Sequence, residues 1–178
     1  MRTSPSQKPQ PDRAVVLVGH GGVPRDYPRD RLLRLRGLEA QRRTSGASPS
    51  PEEAALALEL RLWPRTSATD PYQAGLQRVA TQLRPRLAPT RLELAYNEFC
   101  APTLAEAVRA LAADGVTDIV AVPSMLTPGG VHTELEIPET LEGLRAEFPH
   151  LDIRYAWPFP AEHLATFLAA HLRRFDRP

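Results

Sequence analysis

Two hydrophobic rhythms alternate along this chain. Short apolar runs occur at residues 14–19 (AVVLVG), 91–96 (RLELAY), 118–123 (DIVAVP) and 151–156 (LDIRYA). Their length and β-branched content predict strands, and the uninterrupted apolar stretches of the first and third predict burial on both sides, as in a parallel sheet. Between them the spacing changes to that of helices. Asp70 followed by Pro71 reads as a cap with proline at the first helical position, and Tyr72, Leu76, Val79, Ala80 and Leu83 then share one face. Leu104, Ala107, Val108 and Leu111 repeat the pattern, with Gly115 placed to stop that helix. A third helix is predicted over residues 136–147, with Ile137, Leu141 and Leu144 inward, and a fourth over 161–175, with Leu164, Phe167, Leu168 and Leu172 inward. This alternation predicts an α/β fold: a four-stranded parallel sheet covered on both faces, a flavodoxin-like three-layer α/β/α arrangement, in which the first strand is central if the order is the common 2-1-3-4.

One segment breaks the rhythm. About fifty residues separate the end of the first strand from the Asp70 cap, where such a crossover ordinarily takes only a few. Leu32, Leu35 and Leu38 predict one helix, and residues 44–50 (TSGASPS) a turn. Ser50-Pro51-Glu52-Glu53 predicts a capping box that opens a second helix, carried on by Leu56, Leu60 and Trp63. The segment reads as an inserted helical hairpin at about residues 24–69, within one α/β domain over 14–178. Residues 1–13 (MRTSPSQKPQPDR) are polar and proline-rich, lack the apolar core of a secretory signal, and are expected to form a flexible tail.

Composition narrows the possible partners. A formal net charge of +1 provides no field to hold a polyanionic backbone, which sets nucleic-acid binding aside. No apolar run reaches the roughly 20 residues of a membrane-spanning helix, and the lone Cys100 cannot form an internal disulfide, so the expected setting is the cytoplasm, with no membrane partner. Lys8 is the only lysine, and arginine-rich cation content with abundant Ala, Leu and Pro is what a GC-rich genome produces. Arginine also grips carboxylates with a two-pronged fork, so individual arginines stay open as contacts for an acidic ligand.

Ligands of open parallel sheets bind beyond the carboxyl ends of the strands, where strand order reverses. Those ends carry His20 inside Gly19-His20-Gly21-Gly22, Glu98 after the second strand, and His132 at the end of the loop that starts at Ser124. Gly21 and Gly22 permit a sharp turn and the close approach of a ligand. The loop Thr127-Pro128-Gly129-Gly130-Val131 has little use for an imidazole as packing. Two histidines and a carboxylate suit Zn, Co, Fe or Ni without selecting among them. Other roles fit some of the same residues: Glu98 can cap the helix that starts near Thr103, and Cys100 can fill a small buried gap. Glu134 and Glu136 can hold a second metal, aim His132, or stand solvated in a first helical turn. His150, His163 and His171 fall in or beside helices away from this rim. The sequence has no P-loop, dinucleotide fingerprint or Gly-x-Ser-x-Gly elbow, and no nucleotide cofactor is expected.

The GHG closing the first strand, the segment N-E-F-C-A-P-T-L from Asn97 and the stretch V-P-S-M-L-T-P-G-G-V-H-T-E-L-E-I-P-E from Val122 stand in family order for the class II tetrapyrrole chelatases. The chain resembles that family over residues 14–22 and from 70 onward. The resemblance implies a chelatase-like fold and insertion of a divalent metal, Co2+ first with Fe2+ or Ni2+ as alternatives, into sirohydrochlorin or a related tetrapyrrole. It implies that His20 and His132 bind the metal and accept the pyrrole protons, and that Glu98 assists. Arg25 and Arg65 are expected at the carboxylates of the macrocycle, together with Gly129 and Gly130 of the histidine loop. The metal is then substrate, not resident cofactor. The expected partners are the tetrapyrrole, the metal and a second copy of the chain, since larger relatives join two such units in one polypeptide. A metal- or tetrapyrrole-delivery protein, or a metal-dependent enzyme on another substrate, would use the same residues. The chain departs from the family at Gly22, where serine is frequent, at Glu136, where aspartate is, in a slightly longer loop before His132, and in the hairpin, which small chelatases lack. Rooted beside the rim, the hairpin is expected to act as a lid or wall that presents Leu62-Trp63-Pro64-Arg65 to the macrocycle.

Overall fold

A computed structural model describes residues 12–176 of the chain. Its sheet has four parallel strands, β1 (Arg13–Gly19), β2 (Arg91–Tyr96), β3 (Asp118–Pro123) and β4 (Asp152–Tyr155), in the order β2-β1-β3-β4. This is the α/β architecture expected from the alternating periods, with the common strand order. β1 sits between two neighbours because it is apolar on both sides: Ala14, Val16 and Val18 enter one core cluster and Leu17 the other. Of the expected tail, residues 1–11 lie outside the described residues, and Arg13 already belongs to β1.

One face of the sheet is closed by α4 (Leu104–Ala113) and α5 (Ile137–Glu147), which bury Leu104, Ala107, Val108, Leu111, Ile137, Leu141 and Leu144. Thr103 starts α4 by accepting from the Glu106 N–H while the Glu106 carboxylate accepts from the Thr103 N–H, and Gly115, at φ 83°, follows its end. The other face is closed in part. α3 (Pro71–Leu87), capped by Asp70 through the Gln73 N–H at 2.8 Å, lays Leu76 and Ala80 over β1 and β2. Tyr72 and Val79, expected on that inner face, lie at its edge, 40% and 56% exposed. Over β3 the same face leaves Val120 and Val122 half-buried.

α6 (Ala161–Leu172) forms with the expected periodicity but buries none of its residues. Phe167, Leu168 and Leu172, expected to point inward, are 59%, 54% and 62% exposed, and Leu164 is half-buried. The expectation of a sheet covered on both faces is corrected to that extent. The apolar stripe of α6 exists, and nothing among the described residues covers it.

Between β1 and α3 stands the helical hairpin, α1 (Arg29–Ser45) and α2 (Pro51–Leu62), turned at Gly46 with φ 66°. Ser50 caps α2 by accepting from the Glu53 N–H at 3.1 Å. The reciprocal half of the predicted capping box does not form, because the Glu53 carboxylate pairs with Arg42 of α1 at 2.7 Å. Leu35 and Leu60 bury with Tyr27, and Leu32, Leu56, Trp63 and Phe99 pack around them. Trp63 stands edge-on to Tyr27 at 5.1 Å, so the expected aromatic wall is turned into the hairpin's own root. Among the described residues no helix is long and apolar enough to cross a membrane.

Candidate metal centre

Parallel pairing of β1 with β2 continues past the strands. The Asn97 N–H donates to the Gly19 carbonyl at 2.9 Å and the Glu98 N–H to the His20 carbonyl at 2.8 Å. Gly21 turns here at φ 92°, and a β-carbon on it would lie 1.8 Å from the Glu98 carbonyl oxygen. Glycine is required by that neighbouring peptide, which makes the close approach the sequence reading reserved for a ligand. The extended ladder holds His20 and Glu98 side by side, with His20 Nε2 4.0 Å from a Glu98 carboxylate oxygen. The Tyr72 hydroxyl accepts from the His20 N–H at 2.7 Å and so steadies the turn from the helix side.

His132 arrives from the opposite side. It opens a single π-helical turn (His132–Glu136) ahead of α5, and its ring lies edge-on to that of His20 with centroids 4.5 Å apart. One ligand atom each from His20, Glu98 and His132 lie within 4.8 Å of one another, and all three side chains are half-buried. No other group of this kind occurs among the described residues. Glu98 is therefore free of the capping role open to it, which Thr103 fills.

Hydrogen bonds orient both rings. His20 Nδ1 lies 2.8 Å from the Gly21 carbonyl, which can only accept, so Nδ1 carries a proton, and in the neutral ring the lone pair is on Nε2. His132 Nδ1 lies 2.5 Å from a Glu136 carboxylate oxygen that also accepts from the Asn97 amide at 2.5 Å. Burial pushes the Glu136 carboxyl up, but hydrogen bonds from His132 and Asn97, with the charges of His132 and Arg43, outweigh it and hold the group below the usual carboxylate range. An ionised acceptor at Nδ1 leaves Nε2 of His132 open as well. Each imidazole thus presents Nε2 with its other nitrogen anchored, the arrangement that metal-binding histidines take.

The remaining expected residues divide. Glu136 aims His132, whereas Glu134 braces the loop, accepting from the Gly129 N–H at 3.1 Å and the Trp157 indole at 3.3 Å. Gly129 and Gly130 lie exposed just ahead of His132. Arg25 is exposed at the hairpin root, its guanidinium 3.4 Å from the Ala68 carbonyl. Arg65 is turned inward, away from any ligand's edge. Its side chain is 5% exposed, pairs with an Asp70 that is 3% exposed, and donates to the carbonyls of Gly22 at 2.8 Å, Leu60 at 3.1 Å and Phe99. Carbonyls turned inward by three separate segments need donors, and one guanidinium fork supplies them. Cys100 is the small buried side chain expected; the Gln73 amide donates to its sulfur at 3.2 Å, and burial pushes its thiol up. His150, His163 and His171 are exposed and outside the trio. Sequence reasoning missed Asn97 and Tyr72. Asn97 could have been found from its place directly before Glu98, whereas the apolar spacing around Tyr72 assigned it to the core.

Fold and site together define an α/β domain that gathers two imidazoles and a carboxylate at the switch point of its sheet, a constellation able to hold a divalent metal. Residues 65–174 match the CbiX family model, and the chain belongs to the CbiX family. The matched stretch contains Glu98 and His132 and begins beyond α2, so it leaves out His20. Over 89 residues the chain is 27% identical to a sirohydrochlorin cobaltochelatase of Priestia megaterium, covering 50% of this chain and 29% of that protein. Over 57 residues it is 46% identical to a sirohydrochlorin cobaltochelatase of Methanopyrus kandleri, covering 32% of this chain and 38% of that protein. These matches span well under half of either relative's length. Among solved structures it is similar to SirB from Bacillus subtilis with Fe3+, at TM-score 0.51 and 17% identity over 93% of this chain and 48% of that one, which is a likeness of fold.

Proposed function

We propose that the chain inserts a divalent metal into sirohydrochlorin or a related tetrapyrrole, Co2+ foremost with Fe2+ and Ni2+ as alternatives. The observation that carries this reading is the convergence of three ligand atoms within 4.8 Å at the switch point of a CbiX-family fold. The names of the curated relatives support it. The metal is a substrate here. It binds first to Nε2 of His20 and of His132, then passes to the ring nitrogens as two pyrrole N–H bonds break, and two protons leave for each M2+ that enters. A neutral imidazole serves both halves of this exchange: it is a donor that can release a borderline metal ion, and its freed lone pair accepts a proton near neutral pH. Glu98, 4.0 Å from His20 Nε2, takes that proton onward. Glu136 and Asn97 keep the His132 ring from rotating away. No step needs a nucleotide. Mixing the purified chain with sirohydrochlorin and Co2+ and following the macrocycle's absorbance tests the reading. Insertion faster than in buffer is expected; tight metal binding without acceleration would make the chain a carrier instead.

In this reading the protein works in the cytoplasm as a homodimer. The exposed apolar residues Phe167, Leu168 and Leu172 of α6, and the half-open sheet face at Val120 and Val122, support the pairing, since association of two copies would cover such surfaces. Light scattering at micromolar concentration should give the mass of two chains, and a monomer would remove the pairing.

A further inference from the structure

α1 carries six arginines, and its seam with α2 accounts for only three of them. Arg31 pairs with Glu59, Arg34 holds Glu52 through two N–H groups at 2.5 and 2.7 Å, and Arg42 holds Glu53 at 2.7 Å. Arg36 and Arg43 stand apart from that seam. They are seven residues apart, nearly two turns or about 10 Å along the axis. Together with Glu39 and Ala40 they line an open cavity of about 290 Å³. Glu39 also lines a hollow of about 190 Å³ shared with Leu35, Asn97, Glu98 and Phe99, so the stripe runs on to the metal rim.

The Arg36 end of the stripe meets the metal trio on its Glu98 side. The Arg36 guanidinium stands over the ring of Phe99, the residue after Glu98, 4.8 Å from its centroid. Arg43 stands at the other end of the cavity that Arg36 lines. Neither guanidinium is hydrogen-bonded to a carboxylate among the described residues. The nearest carboxylate to Arg36 is Glu39 at 4.0 Å, and Arg43 has no ion pair among the described residues.

We propose that Arg36 and Arg43 form a carboxylate-binding edge for the tetrapyrrole, carried on the inserted hairpin and separate from the metal trio, an inference that rests on the chelatase reading above. A sirohydrochlorin-like macrocycle is a flat apolar ring bordered by carboxylates. With its centre at the trio, its border reaches along α1 from the Glu98 side, and each guanidinium fork takes a carboxylate in two-pronged fashion. Two such contacts fix the rotation of the ring about the metal axis, which the metal ligands alone leave free. They also select macrocycles that carry carboxylates. The hairpin then works as a wall, held by its apolar cluster and by Arg65, whose α1 face reads the rim of the ligand.

The test uses the full chain and two metal-free porphyrins, an octacarboxylate and its methyl ester, with binding followed by fluorescence quenching at low ionic strength. Wild type should bind the acid at least about tenfold more tightly than the ester, and Arg36→Gln/Arg43→Gln should abolish that preference by weakening the acid about tenfold. Co2+ affinity should not change. Arg36→Lys/Arg43→Lys, which keeps the charge without the fork, should fall between. Both positions are exposed, so the fold is expected to survive, and circular dichroism checks it. Equal affinity of wild type and the glutamine variant for the acid overturns the proposal, as does a wild type that does not distinguish acid from ester. Failure of the chelatase reading looks different: the acid binds with the arginine dependence, Co2+ binds, and sirohydrochlorin gains cobalt no faster than in buffer.

Discussion

The metal rim and the root of the hairpin share the same backbone and are built in opposite ways. At the rim, His20 and Glu98 on loops and His132 at the start of a helical turn stand half-buried with ligand atoms turned toward one another. At the root, Arg65 and Asp70 are 5% and 3% exposed and their polar atoms are engaged inside the protein, apart from Arg65 Nε. The two regions meet at Gly22 and Phe99, whose carbonyls accept from Arg65 one or two residues from His20 and Glu98. The contrast separates two kinds of polar cluster. One keeps lone pairs available for a ligand and contributes little to the fold; the other satisfies the loops that carry it and contributes nothing direct to chemistry.

Substitutions can break that contrast, beginning with the largest effect. His20→Ala or His132→Ala should abolish metal insertion while shifting stability by less than about 1 kcal/mol, because both side chains are half-buried and outside the core clusters. Near-normal turnover in either variant would remove the mechanism. Arg65→Ala should show the reverse pattern in urea unfolding, a loss of about 3–5 kcal/mol as Asp70 is left buried and unpaired. A loss under about 1 kcal/mol would place the pair with ordinary surface ion pairs. Glu98→Gln should slow insertion by about 100-fold without stopping it, the scale of a single proton-relay group. An unchanged pH profile in that variant would show that the carboxylate moves no proton. The smallest effect is expected at Glu136, where Glu136→Gln should weaken Co2+ binding by about tenfold through loss of the charged anchor on His132. Unchanged affinity would mean that the contact does not steer the ring.

The four strands, α4 and the three rim residues were legible in the sequence because each rests on local information. A helical period, a cap and a stop define α4, while His20 and Glu98 follow strands and His132 opens the turn ahead of α5, each at a place where packing gives no reason for it. What was not legible depends on segments far apart in the chain. Arg65 reads like any surface arginine until the inward carbonyls of Gly22, Leu60 and Phe99 are brought to it. α6 has the same apolar spacing as α4, yet periodicity names a face and not the surface that covers it. The six arginines of α1 could not be divided either, since the register of α1 against α2 decides which three meet acids and which face the rim. The hairpin was placed beside the site, and of the residues expected to line it Trp63 and Arg65 are turned into its root, while Leu62 stays exposed.

The claim that two imidazoles grip the metal at this rim is tested most directly by X-ray absorption at the cobalt edge, on the full chain loaded with one equivalent of Co2+. Two imidazole ligands are expected in the wild type, with both lost in His20→Ala/His132→Ala. Oxygen ligands alone in the wild type, or an unchanged spectrum in the double variant, would contradict it.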